Sequence, residues 1–465
     1  MRAVPACLAL LILMAACLPA AAQARESQYT MFEAPTELLS DDAALRARTF
    51  DEIRSFGVRR LRVVLYWHSV APVADDPGVP RFDETDPSAY PGFARYDRLV
   101  AEARARGMRI LLTVSGPVPR WATRDRDDTV TRPSATRFGR FMRAVIRRYG
   151  AAVDDWSIWN EPNHPDFLRP QYSRSHRPVS PRLYRQLVFA ADRAFRAVGD
   201  RKDRMLVGET APRGTRKVVG PLTFLRGALC LDSRYRKRRG CKQMPADGWA
   251  HHAYTTAAGP FFVPPSRNDV TIGALGRLNS ALARAGRAKA VRRGLGIYLT
   301  EFGVESEPDP LRGVSLAAQA EQRSLAERIA YRNGRVRAFS QYLMRDDRER
   351  EGADRFGGFQ SGLRTVGGEA KPAYDGFRLP LVALRGRTRT TLWGLVRPAR
   401  GRTSVALEYR DRGSSRWRRL KRDRTNARGY WTTTTRLVRS RRYRVRWTPA
   451  GGERATGPAT RSYRR

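Results

Sequence analysis

Two glutamates are singled out by where they fall. Asp155-Trp156-Ser157-Ile158-Trp159-Asn160-Glu161-Pro162 is an apolar run that ends in Asn-Glu-Pro. Pro162 cannot continue a strand ladder, so the run must stop there. Leu295-Gly296-Ile297-Tyr298-Leu299-Thr300-Glu301-Phe302-Gly303 is a second apolar run with a glutamate at its carboxyl end, and Gly303 lets the backbone turn sharply after it. A carboxyl group held beside indole rings is poorly solvated, which suits a general acid. A second carboxyl group facing it across a cleft completes the equipment for glycoside cleavage. A glutamate at a strand end is more often a solvated rim residue. That plainer reading is the one adopted for Glu209 in Gly208-Glu209-Thr210, and Glu305 is read as loop.

Bringing two such carboxyls to one cleft needs a scaffold with many strands ending on one side. Eight short apolar runs recur between residues 28 and 377: Tyr29–Phe32, Leu61–Tyr66, Ile110–Val114, Trp156–Trp159, Met205–Val207, Trp249–Tyr254, Leu295–Leu299 and Ala338–Leu343. Helical spacing separates them. Tyr96, Leu99, Val100 and Ala103 fall at i, i+3, i+4 and i+7, as do Phe138, Phe141, Met142 and Val145, and Tyr184, Leu187, Val188 and Ala191. Leu275, Leu278 and Leu282 mark a further helix, and Leu325 with Ile329 another. Eight βα units predict a (β/α)8 TIM barrel, whose active site lies at the carboxyl ends of the strands. No Gly-rich phosphate loop follows any strand, which argues against a doubly wound nucleotide-binding sheet. The polar, Pro/Gly-rich stretches at 72–93 and 212–248 are expected as loops over the barrel mouth.

Trp-Asn-Glu-Pro on the fourth strand together with Thr-Glu-Phe-Gly on the seventh resembles the large clan of retaining glycosidases that includes cellulases and β-xylosidases. The resemblance covers about residues 28–377. It implies that Glu161 is the acid/base, Glu301 the nucleophile and Asn160 the residue that holds the sugar 2-hydroxyl. Arg62, in Arg62-Val63-Val64-Leu65-Tyr66-Trp67, matches the arginine that binds the nucleophile, and His252 with Tyr254 matches a His-x-Tyr motif on the sixth strand. The residue chemistry agrees: Arg62 is always charged, Tyr254 can donate to the same carboxylate, and His252 can bond a sugar hydroxyl or orient Glu161. The implied reaction is a double displacement on a carbohydrate substrate, with carboxyls roughly 5–5.5 Å apart. No metal ion or organic cofactor is expected. Trp67 and Trp121, at or just past strand ends, are candidates for sugar stacking, while Trp249 is read as core. His251 should point away from the lumen by strand alternation. The eighth strand, Ala338-Phe339-Ser340-Gln341-Tyr342-Leu343, lacks the tryptophan that relatives often carry there.

The two ends of the chain differ from this middle. Residues 1–24 hold Arg2, an apolar run and Ala22-Gln23-Ala24, a pattern that predicts a secretory signal peptide. Cys7 and Cys17 fall inside it. Cys230 and Cys241 remain, and in an exported chain they are expected to form one disulfide. No other run is apolar enough to span a bilayer. After Pro380 short alternating strands such as Ser404–Arg410 predict a small all-β, immunoglobulin- or fibronectin-like sandwich. The expected layout is a signal peptide at 1–24, a barrel at 25–380 and a basic sandwich at 385–465. Residues 385–465 carry 25 Lys and Arg against 4 Asp and Glu, a net of +21 out of +43 for the whole chain. This charge raises an anionic cell-envelope polymer as a partner of the C-terminal domain. No nucleic-acid-binding motif accompanies it. Trp417 and Trp431 are read as core of the sandwich rather than a sugar-stacking face. The competing reading of the chain is a catalytically silent protein that binds glycan or envelope at the cell surface.

Overall fold

The computed structural model describes residues 28–199, 204–352, 355–398 and 401–464. The expected signal peptide at 1–24 lies outside the described residues. All eight apolar runs form strands: β1 (Tyr29–Glu33), β2 (Arg60–Tyr66), β3 (Arg109–Ser115), β4 (Asp155–Ile158), β5 (Arg204–Thr210), β6 (Gly248–His252), β7 (Gly296–Glu301) and β8 (Val336–Tyr342). They pair in parallel in chain order, and β8 closes on β1 with Glu33 opposite Tyr342.

A helix follows each strand: α1 (Ala43–Ser55), α2 (Phe93–Ala105), α3 (Ala135–Tyr149), α4 (Ser180–Val198), α5 (Pro221–Ala228), α6 (Leu275–Arg287), α7 (Leu316–Arg332) and α8 (Pro372–Arg378). Their apolar stripes are the ones read from spacing. In α3, Phe138, Phe141, Met142 and Val145 are buried, and the Ser134 side chain accepts the Arg137 N–H at its start. In α4, Tyr184, Leu187, Val188 and Ala191 are buried, and the helix ends at Gly199, whose φ of 85° suits a glycine cap.

Inside the barrel the two-residue period of the strands sets the layers. Met31, Leu111, Leu206, Ala250, Tyr298 and Ala338 form an apolar floor, separate from the larger core between strands and helices. One pleat further toward the carboxyl ends, the same faces of β1, β3, β6 and β7 present Glu33, Thr113, His252 and Thr300, all buried. A polar layer therefore lies directly on an apolar one.

Two loop expectations need correction. Within 72–93, residues 84–90 pack on the helix layer, while 72–75 bond to Arg120 and Trp121 after β3. Arg137 pairs with Glu84, and Tyr90 packs its ring on Phe141. Residues 212–248 contain α5, the fifth barrel helix, whose apolar residues are confined to a short Pro-initiated segment. Cys230 and Cys241 are joined by a disulfide in this stretch.

The C-terminal strands form an all-β domain: β9 (Leu381–Arg385), β10 (Arg389–Leu395), β11 (Ser404–Arg410), β12 (Arg418–Arg424), β13 (Tyr430–Arg436), β14 (Arg442–Trp447), β15 (Ala455–Thr456) and β16 (Thr460–Arg464). They make one hydrogen-bonded path because β16 pairs antiparallel with β14 and parallel with β9. Leu381, Leu392 and Trp431 from one half of the path share a core with Val405, Leu407 and Val445 from the other. The domain docks near the amino end of the barrel. Arg397 is buried against Glu327 of α7 and donates to Thr30 Oγ1 (3.1 Å), while Arg428 donates to the Gln28 carbonyl (2.7 Å). These contacts sit at the foot of β1, and others run up α7, where Arg461 and Tyr463 meet Glu321, to Phe261 in the loop after β6.

Candidate active site

The carboxyl ends of the strands bring one charged cluster together. Arg62 of β2 lies at its centre, fully buried. Its Nη1 donates to Glu33 (2.5 Å) and Glu301 (2.9 Å), and its Nη2 to Asn160 Oδ1 (2.6 Å) and Glu209 (2.9 Å). One guanidinium thus ties residues from β1, β5 and β7 to the segment after β4. A planar fork with fixed donor directions is suited to this.

The backbone after β4 is shaped to deliver Asn160 and Glu161 inward. Trp159 and Glu161 have φ of 70° and 37°, left-handed values that are costly for non-glycine residues, on the order of 1–3 kcal/mol each. The turn sends the Trp159 indole outward, where it packs on Phe138 and donates to the Phe167 carbonyl (3.0 Å). The Asn160 N–H then meets Ser115 Oγ (2.9 Å) and the Glu161 N–H meets the Glu209 carbonyl (3.0 Å). Gly208 precedes Glu209 with a φ of 112°, and a Cβ there would lie 2.6 Å from the Ala250 carbonyl oxygen. Only glycine lets β5 bend closely enough to place Glu209 beneath the mouth.

His252 joins the two motif glutamates. Its Nδ1 lies 2.9 Å from Glu161 Oε1 and 3.5 Å from Glu301 Oε2, while its Nε2 lies 2.6 Å from Glu209 Oε2. Because both oxygens sit on one nitrogen, their separation cannot exceed the sum of those first two distances. Burial disfavours the imidazolium, but the surrounding carboxylates, Glu301 foremost, push the His252 pKa up to about 10. His252 is therefore a cation at neutral pH. Glu209 is burdened by burial as well, yet Arg62 and then His252 hold it down at about 2. Glu33 differs: burial outweighs Arg62 and lifts it to about 7, with Glu301 adding to the rise. Thr300 Oγ1 also donates to Glu209 (2.9 Å).

The two motif glutamates are held unequally. Glu301 accepts from Arg62 on Oε2 and from the Tyr254 hydroxyl on Oε1 (2.7 Å). Glu161 accepts from His252 on Oε1, and among the described residues its Oε2 has no hydrogen bond. Their side chains remain 11 % and 17 % exposed, enough for both to face the open mouth. Half-buried Tyr66, Tyr254, Tyr342 and Phe359 line the rim, with Tyr342 packing edge-on against Phe359 (5.1 Å). Tyr342 thus supplies aromatic surface at the end of β8, where no tryptophan is present. Beside Tyr254, a pocket of about 430 Å³ is lined by Arg213, Glu305, Arg312 and Gln322.

Arg62, Asn160, Glu161, His252, Tyr254 and Glu301 meet in this one cluster. Trp67 and Trp121 do not, which corrects the stacking expectation. β2 ends at Tyr66, and Trp67 opens a helical turn while keeping the outward side of Leu61, Val63 and Leu65, with which it shares the core between strands and helices. Trp67 stacks on Phe141 (4.9 Å, 6°) and meets Trp121 edge-on (5.8 Å), and both are fully buried. Glu209 is not the solvated rim residue expected but a fully buried anchor. Glu33 was not anticipated at all, although Met31 to Glu33 alternation would place it in the lumen. His251 lies outside the cluster, bonded to Thr210 Oγ1 (2.8 Å) and the Val270 carbonyl (2.7 Å), and burial lowers it to about 4. Among the described residues no three His, Cys, Asp or Glu side chains are arranged to hold a metal ion. The Arg62 guanidinium occupies the centre of the carboxylates instead. No helix among the described residues is long and apolar enough to cross a membrane.

No family model and no curated protein matches the chain. Among solved structures, a family 39 glycoside hydrolase from the gut symbiont Bacteroides cellulosilyticus is similar in fold, with a TM-score of 0.51 over 91% of this chain and 81% of that one, at 15% identity. An endo-1,4-beta-xylanase from Penicillium canescens matches at a TM-score of 0.47, with 15% identity over 77% of this chain and 94% of its own. Xylanase 10B from Thermotoga maritima matches at 0.46, with 16% identity over 77% and 95%. At these identities the likeness is one of fold, the eight-stranded α/β barrel.

Proposed function

We propose that this chain is an exported glycoside hydrolase that cleaves O-glycosidic bonds of an oligo- or polysaccharide by retaining double displacement. The observation that carries this reading is the unequal support of two carboxylates joined through His252. Glu301 is gripped on both oxygens, by Arg62 and Tyr254, which fixes the line along which it can attack an anomeric carbon. Glu161 is held on one oxygen only, which leaves the other to carry a proton for the leaving group. Glu301 is assigned as nucleophile and Glu161 as acid, then as base for the water that releases the sugar. Both sit on one imidazole nitrogen, which suits the short carboxyl spacing of a retaining pair, roughly 5–5.5 Å. Asn160, oriented by Arg62, is placed to hold the sugar hydroxyl next to the reacting carbon, and Tyr342 and Phe359 offer ring faces in place of Trp67 and Trp121. The fold similarity to a family 39 glycoside hydrolase supports the same class. Export is supported by the leader-like residues 1–24 and by the Cys230–Cys241 disulfide, a bond that persists outside reducing compartments.

The test is a panel of aryl glycosides and β-linked polysaccharides offered to the wild type and to Glu161→Ala and Glu301→Ala. A fluorosugar trap is analysed by peptide mapping. Cleavage by wild type, loss in both variants and label on Glu301 are expected. Absence of both turnover and label across the panel would favour the silent glycan-binding reading.

A further inference from the structure

One sheet face of the C-terminal domain is an arginine array fixed by strand register. In antiparallel pairing, residues directly opposite one another share a face. On β11 the alternate residues Val405 and Leu407 are buried in the core, which leaves Ser404, Ala406 and Glu408 on the outside. Opposite them on β12 stand Arg424, Arg422 and Arg419. Opposite Ala406, Glu408 and Arg410 on β14 stand Arg446, Arg444 and Arg442. The outer face of these three strands therefore carries seven arginines (410, 419, 422, 424, 442, 444, 446) and one acid.

The array is organised. Glu408 accepts from Arg444 and from Arg446, each at 2.7 Å, and fans the two guanidiniums apart. Trp417 lies half-buried beneath Arg444 and Arg410, 4.2 and 5.1 Å from the ring centroid, and levels them. Among the described residues Arg419, Arg422, Arg424 and Arg442 make no ion pair, and all four are exposed. Residues 385–465 hold +21 of the chain's +43, so this is a concentration of charge and not only its general excess. Like charges side by side on a sheet repel and weaken the pairing. An anionic partner would offset that cost.

We propose that the outer face of β12, β11 and β14 binds an acidic polysaccharide. Its rows of guanidiniums at strand spacing fit an extended chain with closely repeated carboxylates, and guanidiniums bind carboxylates bidentately. The array stands independently of the catalytic reading, whereas the choice of a carbohydrate as the polyanion rests on it. The face belongs to a domain packed against the barrel at the foot of β1 and along α7, so a bound polymer would tether the barrel through this domain.

The test measures retention of the full chain on immobilised polygalacturonate, a readout that requires no turnover. One variant carries Arg419→Gln, Arg422→Gln, Arg424→Gln and Arg442→Gln. A control carries Arg387→Gln, Arg389→Gln, Arg436→Gln and Arg439→Gln, exposed residues outside this face with the same loss of charge. Circular dichroism confirms that both are folded. The first variant should bind at least about tenfold more weakly and the control within about twofold of wild type, with binding abolished at 1 M salt. Equal weakening in both, or no binding by wild type, would overturn the proposal. Wild-type binding to polyglutamate, DNA or anionic phospholipid vesicles as tight as to polygalacturonate would overturn its carbohydrate assignment.

Discussion

Replacing Glu209 by glutamine removes one buried charge and little else. The amide oxygen can take the place of Oε2 among Arg62, His252 and Thr300. The amide nitrogen would then face Thr113 Oγ1, 3.4 Å from the other oxygen, which can accept. What is lost is the attraction to two cations. Glu209 sits at about 2 instead of 4.5, against its own burial, because of Arg62 and His252. That difference amounts to on the order of 3 kcal/mol of stability. A carboxyl with a lowered pKa contributes fully above its unfolded value and loses the contribution as pH falls through the folded one. The cost of Glu209→Gln should therefore be largest near pH 7 and fade between pH 4.5 and 2. His252 reports the other side. Its elevation to about 10 supplies stability that is complete below about 6.5 and is lost as pH rises through 10. With one of its carboxylates gone, that loss should begin at lower pH. Denaturant unfolding of both proteins between pH 3 and pH 10 measures both limbs. A penalty under about 1 kcal/mol at pH 7, or one independent of pH, would refute the charge-anchor role.

Three further outcomes follow from the same geometry. Glu33 is raised to about 7, so its ionisation costs stability increasingly from pH 4.5 upward; Glu33→Gln should stabilise by roughly 1–3 kcal/mol at pH 8 and by little at pH 4, read from unfolding curves. Trp67→Ala should destabilise by roughly 3–5 kcal/mol while leaving the KM of the folded protein unchanged, because the indole is core and never meets solvent. Glu327→Ala should cost roughly 3–5 kcal/mol in thermal or denaturant unfolding, since it strands Arg323 and Arg397 as buried cations between barrel and C-terminal domain.

The sequence was most legible where an apolar period is strict. The eight runs and the stripes of α2, α3 and α4 needed only alternation and helical spacing, and those patterns persist because each element buries one face. Glu161 and Glu301 were legible because each closes an apolar run and is followed by a residue, Pro162 or Gly303, that ends or turns the strand. Glu33 and Glu209 were harder because their runs were read as ending at Phe32 and Val207, before the polar residues that still belong to the strands. At Glu209 the left-handed Gly208 also breaks alternation, so no periodic rule points its side chain inward. Trp67 was misplaced because its position just past the end of β2 was weighed alone, whereas the alternation of Leu61, Val63 and Leu65 continues to it and turns it outward into the core. The pairing of Glu33 and Glu209 through Arg62 depends on barrel closure, which joins residues 29 and 147 positions apart in sequence. Trp417, expected in the sandwich core, lies on the outer face, since the register of β12 on β11 is set by a bulge at Leu407 and Glu408.

The assignment of Glu301 as nucleophile and Glu161 as acid/base is tested most directly by azide rescue on an activated β-glycoside that the wild type cleaves. Glu161→Ala should regain activity and release the β-glycosyl azide, because the glycosyl-enzyme still forms and azide replaces water. Glu301→Ala should release the α-glycosyl azide, because azide attacks directly from the face that the carboxylate has vacated. The reverse pattern of anomers, or no azide product from either variant, would contradict the account.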